Sequence, residues 1–338
     1  MIPELSVDDL GCVRASELLE ELTMAPAVRP GSRGAPRPTG FHPLDEVLDG
    51  GVRAGELTVV GGPPGVGKTV LALQWARHLA VSGSTVLYAS YEHRPEDMLW
   101  RMLVSEAAGP DGVWEEHSSL DDRRRQHLRD AIAGRAISSV VRIHPGIATA
   151  CERFVLYGDR IELLNGAATR TDVELLERLV VDRSDANRMV LVVDSIQKVT
   201  PRHGVKAHQQ TADVAQQLKD LALRHDVAVI GVASTRVTAG RPHRARLPDL
   251  LGAGSLAYDA DVVLMLEEKL RALSRVHLGY GGGAGASPRD KVVLTLEKNR
   301  SGPAGVDMEF DKDLANFRFD PRGCLAAGQL VDGIEVLE

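Results

Sequence analysis

The chain is poor in cysteine, which argues against a fold held together by disulfides. Cys12, Cys151 and Cys324 lie far apart in 338 residues and show no metal-ligand spacing. Such sparse cysteine predicts a reducing, cytoplasmic compartment. No uninterrupted apolar run is long enough to span a membrane, and the first residues lack the basic-then-apolar order of a signal peptide. We therefore expect neither a membrane protein nor a secreted one.

The chain also lacks an excess of positive charge. Its 40 Lys and Arg residues against 47 Asp and Glu residues give a formal net charge of −7. A surface with this balance does not attract nucleic acid as a whole, so any polyanion must bind a local basic cluster. The length, with 43% hydrophobic and 26% charged residues, suits one large α/β domain with additions, or two small domains.

A glycine-rich segment carries the strongest functional signal. The apolar run 57–60 predicts a buried strand, the pattern Gly62-x-x-x-x-Gly67-Lys68-Thr69 follows it, and residues 70–80 favour a helix. Glycines let the backbone N–H groups face phosphate oxygens at a helix N-terminus. Lys68 supplies charge for the β- and γ-phosphates of ATP, and the Thr69 hydroxyl can bind Mg²⁺. The residues expected to contact the nucleotide are Gly62, Pro63, Pro64, Gly65, Val66, Gly67, Lys68, Thr69 and Val70. An accidental glycine-rich turn would lack both flanks.

The rest of the pattern alternates strands with helices, which indicates an open, mostly parallel α/β sheet flanked by helices. Residues 1–36 are expected to form a helical arm and a Pro/Gly-rich linker, 37–320 the core, and 321–338 a tail. The other strands are predicted at 85–90, 154–157, 189–194, 227–233, 262–266, 291–297 and 306–310. Helices are predicted at 95–108, 122–133, 171–181 and 211–224, the third opening with a capping box at Thr171.

Two carboxylates follow predicted strands. Asp194 ends an apolar run and should emerge at the carboxyl edge of the sheet, beside the phosphate loop. There it can hold Mg²⁺ through water, although a strand-end Asp can also simply cap the next turn. Glu92 follows the strand at 85–90, where it can orient and deprotonate the water that attacks the γ-phosphate. Spacing alone is equally consistent with an exposed loop Glu.

Two groups of cations stand out on this acidic chain. Lys298 and Arg300 follow a strand with alternate spacing, so both point to the same side, either towards a phosphate of an adjacent subunit or into solvent. The segment 236–246 holds four arginines, among them Arg241, Arg244 and Arg246, and no acidic residue. It suits a phosphate backbone, or is a solvated loop, and without aromatics it does not indicate base stacking.

Taken in order, these motifs resemble the RecA-like core of hexameric replicative DNA helicases of the DnaB type, over about residues 37 to 320. The segments that carry the resemblance are Thr39-Gly40-Phe41 with Leu44-Asp45, Ser90-Tyr91-Glu92-His93, Asp194-Ser195-Ile196-Gln197, Leu247-Pro248-Asp249-Leu250, Gly254-Ser255-Leu256, Asp259-Ala260-Asp261-Val262-Val263 and Lys298 to Gly305. The Asp194 segment is still closer to bacterial RadA recombination helicases. The resemblance implies a RecA-like P-loop NTPase core that uses ATP and Mg²⁺.

The resemblance also implies roles for individual residues. Glu92 takes the position of the catalytic glutamate, and Lys298 and Arg300 those of trans-acting cations at the subunit boundaries of a ring, expected to be a hexamer. Single-stranded DNA becomes the expected partner, contacted by Gly254 and the arginines of the basic segment. The family's helical primase-binding domain has no room in the 36 residues before the core. Thr235 stands where the family usually has Gln, and Leu251-Gly252 replaces its Arg-Glu pair. A RecA/RadA-like recombination accessory, or a KaiC-like scaffold switched by ATP without unwinding, stays open.

Overall fold

The computed structural model describes residues 14–16, 19, 35–109, 145–168, 170–183, 188–235, 244–269 and 291–326. The predicted helix at 122–133, most of the predicted arm and Arg241 lie outside these residues. The helices are α1 (His42–Val47), α2 (Lys68–Val81), α3 (Pro95–Ala107), α4 (Pro145–Val155), α5 (Val173–Val181), α6 (Gln210–His225) and α7 (Ala253–Asp259). The strands are β1 (Leu57–Gly62), β2 (Thr85–Ser90), β3 (Ile161–Asn165), β4 (Met189–Asp194), β5 (Ala228–Ser234), β6 (Val262–Glu268), β7 (Lys291–Asn299), β8 (Val306–Asp313), β9 (Arg318–Phe319) and β10 (Cys324–Leu325).

The described strands form one mixed sheet in the order β10-β8-β7-β6-β1-β5-β4-β2-β3, with β9 paired to β8. The six strands from β6 to β3 in this order are parallel. The other four are antiparallel to their neighbours. The carboxyl ends of the parallel strands therefore share one edge of the sheet, the carboxyl edge, and their amino ends share the opposite one, the amino edge.

Both faces of the parallel strands are covered, as their uninterrupted apolar sequences require. All six residues of β1 and of β4 are buried. One face packs against α2 through residues such as Leu71, Trp75 and Leu79. The other packs against α5 and α6 through residues such as Leu176 and Leu218. This two-sided burial fixes where each strand ends, and hence where the polar residues that follow it emerge.

The segment before β1 is anchored by Asp45. Its carboxylate accepts hydrogen bonds from the backbone N–H groups of Thr39 and Gly40 at 2.8 and 2.9 Å, and from the Thr39 hydroxyl at 2.8 Å. Gly40 has φ +87°, and a Cβ there would lie 2.6 Å from the ring of His78. The Thr39-Gly40-Phe41 and Leu44-Asp45 pattern is thus a local turn that seats Phe41 in the core, where it is 2% exposed.

Most of the elements predicted within the described residues are confirmed, with three corrections. No strand covers 154–157, because Phe154 and Val155 end α4 and the edge strand is β3, which begins at Ile161. Helix α5 is capped by Asp172, whose carboxylate accepts from the Leu175 N–H at 2.9 Å, and not by a Thr171 hydroxyl. The sheet also continues beyond residue 320, since β10 pairs with β8.

Candidate nucleotide-binding site

The predicted phosphate loop lies at the carboxyl edge, between the end of β1 and the start of α2. Gly62, Gly65 and Gly67 all have positive φ, at 156°, 82° and 105°. A Cβ on Gly62 would lie 2.4 Å from the Leu266 carbonyl oxygen, and one on Gly67 would lie 2.6 Å from the ring of Phe319. Glycine is therefore required at 62 and 67 both for backbone conformation and for space. Val66 and Val70 point into the core, while Pro64 and Gly65 are exposed.

Lys68 begins α2 and folds over the loop. Its Nζ donates to the carbonyl oxygens of Gly62 and Pro63, both at 2.8 Å, and the residue is 9% exposed. Burial lowers the pKa of Lys68, while the charges of Asp194 and Glu92 act to raise it. Three residues that are far apart in sequence are thus brought within electrostatic range of one another.

Asp194 ends β4 at the same edge and is 2% exposed. Its carboxylate accepts hydrogen bonds from the Thr69 hydroxyl and from the Tyr88 hydroxyl, the latter at 3.0 Å. Burial raises the pKa of Asp194, and the nearby Glu92 charge acts in the same direction. A desolvated carboxylate bonded to the loop threonine is a fitting partner for a divalent cation.

Glu92 lies two residues beyond β2, whose last residue, Ser90, pairs with Asp194. The Tyr91 N–H donates to the Asp194 carbonyl oxygen at 2.7 Å, which fixes the chain just before Glu92. The Glu92 side chain is 38% exposed and its Oε1 lies 3.2 Å from the Lys198 Nζ. A carboxylate half in solvent beside the loop lysine and Asp194 is accessible to water, as a general base needs to be.

Sequence reasoning missed several neighbours of these groups. Tyr88, in the middle of β2, bonds Asp194, and burial raises its pKa well above the usual value. Arg101 reaches this edge from α3; burial lowers its pKa, while Tyr88 and Asp194 act to raise it. Gln74 of α2 exchanges two hydrogen bonds with the Phe319 backbone, at 2.7 and 3.0 Å. The position of Tyr88 could have been predicted, because side chains alternate between the two faces of β2. The proximity of Arg101 to Asp194 and of Phe319 to Gln74 depends on tertiary packing and could not.

The residues that flank the basic segment, Thr235 before it and Leu250 after it, lie beside the phosphate loop. Thr235 donates its N–H to the Gly62 carbonyl oxygen at 3.2 Å and forms an isolated bridge with Leu250. Gln197, three residues after Asp194, accepts from the Ser234 N–H at 3.3 Å and donates to the Leu251 carbonyl oxygen at 3.2 Å. The residues on either side of the basic segment are thus hydrogen-bonded both to the phosphate loop and to the segment after β4.

The structure corrects the expected role of Arg244. Its side chain is 3% exposed and forms an ion pair with Asp307 and a hydrogen bond to the Thr295 hydroxyl. An arginine enclosed in this way is not available to a DNA backbone. Arg246 is 32% exposed and pairs with Glu297 at 2.7 Å. Gly254 is exposed in α7.

Lys298 and Arg300 lie at the amino edge. In the antiparallel pairing of β6 with β7, Asn299 is opposite Val262, the first residue of β6. Lys298 Nζ donates to the Ala257 carbonyl oxygen at 2.7 Å, and Arg300 pairs with Asp261 at 3.2 Å. Strand β1 separates this edge from the phosphate loop by roughly 16 Å, at about 3.3 Å per residue.

This arrangement defines a P-loop NTPase with a RecA-like core. The family described as AAA domain matches residues 34–240, and the chain belongs to that family. The replicative DNA helicase DnaB of Mycoplasma pneumoniae is 28% identical over 95% of this chain and 64% of that protein. The solved ATPase domain of G40P has a TM-score of 0.65 at 19% identity, with 93% of this chain and 98% of that one covered. The DNA repair protein RadA of Mycobacterium tuberculosis is 48% identical over 60 residues, 18% of this chain and 12% of that protein.

These comparisons confirm the resemblance to the DnaB type and the RecA-like fold. The chain spans about half to two thirds of the length of the DnaB proteins it matches first. Among the described residues, none of the helices is both long and apolar enough to cross a membrane.

Proposed function

We propose that this protein hydrolyses Mg²⁺-ATP at the subunit boundaries of a homo-oligomeric ring, expected to be a hexamer, and moves along single-stranded DNA as a DnaB-like helicase. The observation that carries the proposal is the separation of two half-sites. Lys68, Asp194 and Glu92 lie at the carboxyl edge, while Lys298 and Arg300 lie at the amino edge. A chain cannot bring its own Arg300 to its own phosphate loop across the length of β1. A second copy can.

The residues at the carboxyl edge divide the work. The backbone of residues 62–67 and the Lys68 ammonium hold the β- and γ-phosphates, and Thr69 and Asp194 hold Mg²⁺. When bound, Mg²⁺-ATP supplies the scissile phosphoanhydride and a cation that neutralises phosphate charge. Glu92 orients water and accepts its proton, with one carboxylate oxygen paired to Lys198 and the side chain 38% exposed.

DNA contact is assigned to the basic segment, residues 236–246. Thr235, which precedes it, donates its N–H to the Gly62 carbonyl oxygen and bridges Leu250, which follows it, so hydrogen bonds link the phosphate loop to the residues that flank the segment. Arg241, Arg246 and Gly254 remain the proposed contacts. Arg244 is withdrawn, because its charge is already neutralised in the interior by Asp307.

A second candidate is a RadA-like recombination accessory. The 60-residue match to RadA at 48% identity favours it. Thr235 and Leu251-Gly252 replace residues of the DnaB pattern, which weakens the case for DnaB-like movement along DNA. This candidate has the same ATPase chemistry as the first, but its movement along DNA would assist recombination rather than unwind DNA for replication.

The test is ATP turnover by the full chain, with and without single-stranded DNA, on particles sized by light scattering, with Lys68→Ala as the inactive control. Stimulation by DNA of an oligomer supports the proposal, and strand-displacement assays then separate a helicase from an accessory. Turnover indifferent to DNA would favour the ATP-switched scaffold. Undiminished turnover of Arg300→Ala would refute the proposed boundary role of that residue.

A further inference from the structure

A buried carboxylate, that of Asp261, lies between Arg300 of the amino edge and the start of β1. Asp261, just before β6, has a side chain that is 7% exposed. Its Oδ2 accepts from the Leu57 N–H at 2.8 Å and from the Lys219 Nζ at 2.7 Å. Its Oδ1 lies 3.2 Å from Arg300 Nη1. One oxygen is thus bound to the start of β1 and to α6, while the other faces the arginine.

The backbone reinforces the same geometry. Asp261 donates its N–H to the Leu57 carbonyl oxygen at 2.9 Å and accepts from the Arg300 N–H at 3.0 Å. The carboxylate is therefore tied to the sheet by both main chain and side chain, and it cannot follow a moving arginine. Arg300 is 47% exposed, and its Nη2 also donates to the Tyr258 carbonyl oxygen.

We propose that Asp261 is the positioning residue for Arg300, holding its guanidinium at the boundary so that it meets the phosphates of a neighbouring subunit. This proposal rests on the proposed function. An arginine side chain has several rotatable bonds, so ordering it costs conformational entropy. The ion pair with the fixed Asp261 carboxylate orders the Arg300 side chain before it meets a phosphate. The guanidinium has five N–H donors in a planar fork, so it can bond Asp261 and Tyr258 on one side and a phosphate on the other.

Asp261 also moderates the repulsion between two neighbouring cations. Burial lowers the pKa of Lys298, the Arg300 charge lowers it further, and Asp261 and Asp259 act to raise it. With a neutral residue at 261, the repulsion between the positive charges of Lys298 and Arg300 would be less well balanced by negative charge. Both cations would then turn away from the position they occupy beside α7.

The test is Asp261→Asn, which keeps the shape and an acceptor for the Leu57 N–H but removes the charge. A misplacement of about 1 Å can cost about 100-fold in rate, so we expect kcat to fall about 10- to 100-fold with KM unchanged. Glu56→Gln is the matched control. Glu56 lies at the same edge and accepts from Ser301 at 3.3 Å, and we expect it to leave kcat within about twofold.

Mixed assemblies separate positioning from a structural role. Lys68→Ala subunits have a defective loop but an intact Asp261 and Arg300, so adding them to Asp261→Asn subunits creates competent boundaries. Recovery of turnover in rings shown to be mixed by native mass spectrometry is the expected result. Recovery with Arg300→Ala but not with Asp261→Asn would overturn the proposal, because the defect would then lie in the subunit's own fold.

Two further outcomes would also overturn it. Unchanged or faster turnover of Asp261→Asn would mean that the carboxylate restrains Arg300 rather than presenting it. Failure of Arg300→Ala to recover in the same mixtures would remove the premise of action in trans, a failure of the proposed function that this control identifies. If Asp261→Asn does not fold or assemble, Asp261→Glu, which keeps the charge but moves it by one methylene, takes its place with the same expectation.

Discussion

Replacing Arg244 by Ala tests the conclusion that its buried side chain does not contact DNA. Its guanidinium donates to both carboxylate oxygens of Asp307, at 3.0 Å for Nη1 to Oδ2, and to the Thr295 hydroxyl. The Thr295 hydroxyl in turn donates to Asp307 at 2.8 Å. The side chain of Arg244 is 3% exposed and that of Asp307 is 14% exposed. Removing the arginine leaves the mostly buried Asp307 carboxylate with the Thr295 hydroxyl as its remaining donor among these contacts.

The expected cost follows from that burial. Breaking a buried ion pair by removing one partner costs about 3–5 kcal/mol, because the remaining charge is left uncompensated. At about 2 °C per kcal/mol for a large domain, Tm should fall by roughly 6–10 °C. The slope of log affinity for single-stranded DNA against log salt should stay unchanged, since a residue without a phosphate contact releases no counterion.

The assay pairs calorimetry with DNA titrations at several salt concentrations, and Arg246→Ala is the matched control. Arg246 is 32% exposed and its partner Glu297 is 14% exposed, so its loss should also lower Tm, though by less than the loss of the enclosed Arg244. It should in addition flatten the slope by about 0.7, the value for one phosphate on a single strand. An Arg244→Ala variant that keeps its Tm and loses slope would refute the reasoning, because the side chain would then have to leave Asp307 and reach DNA.

Three other changes have defined outcomes. Glu92→Gln should bind ATP with unchanged affinity in fluorescence titrations but turn over about 100-fold or more slowly, because the proposed base is lost while the loop stays; turnover at the wild-type rate would contradict this. Asp45→Ala should lower the free energy of unfolding by about 3 kcal/mol in urea titrations, because the N–H groups of Thr39 and Gly40 lose their shared acceptor; a change below about 1 kcal/mol would contradict it. Burial, assisted by Arg101, lowers the pKa of His93, so the neutral ring stabilises the fold above the unfolded pKa of about 6.5, and that stability is lost as pH falls below it. The Tm of His93→Gln should therefore decline less than that of the wild type between pH 7 and 5, and parallel profiles would contradict this assignment.

The candidate nucleotide site could be predicted from the sequence because its signals are local. The spacing of residues 62–69 specifies a loop at the end of a strand, and the apolar run before Asp194 specifies a second strand end. Parallel strands place such ends at one edge, so proximity follows without knowledge of the packing. The pairing of Ser90 with Asp194 and the Thr69 contact are consistent with that logic.

The basic segment could not be read in the same way. Four arginines without an acid look like an exposed cluster, but the partner of Arg244 is Asp307, 63 residues away on β8. Charge counting along the chain does not include carboxylates that the sheet brings in from later strands. The same limit applies to the predicted strand at 154–157, where an apolar pair, Val155 and Leu156, is 76% and 79% exposed at the end of α4.

The placement of the half-sites restricts the assembly that the proposed function needs. A two-fold dimer pairs residue i of one copy with residue j of the other and j with i, so it completes two sites only where both edges belong to one self-complementary surface. A head-to-tail contact, in which the amino edge of one copy meets the carboxyl edge of the next, completes a site without that requirement. Such a contact is heterologous and repeats until it closes as a ring or continues as a filament. The DnaB-like and RadA-like proposals therefore share one boundary chemistry, and Asp261 and Arg300 have the same task in both.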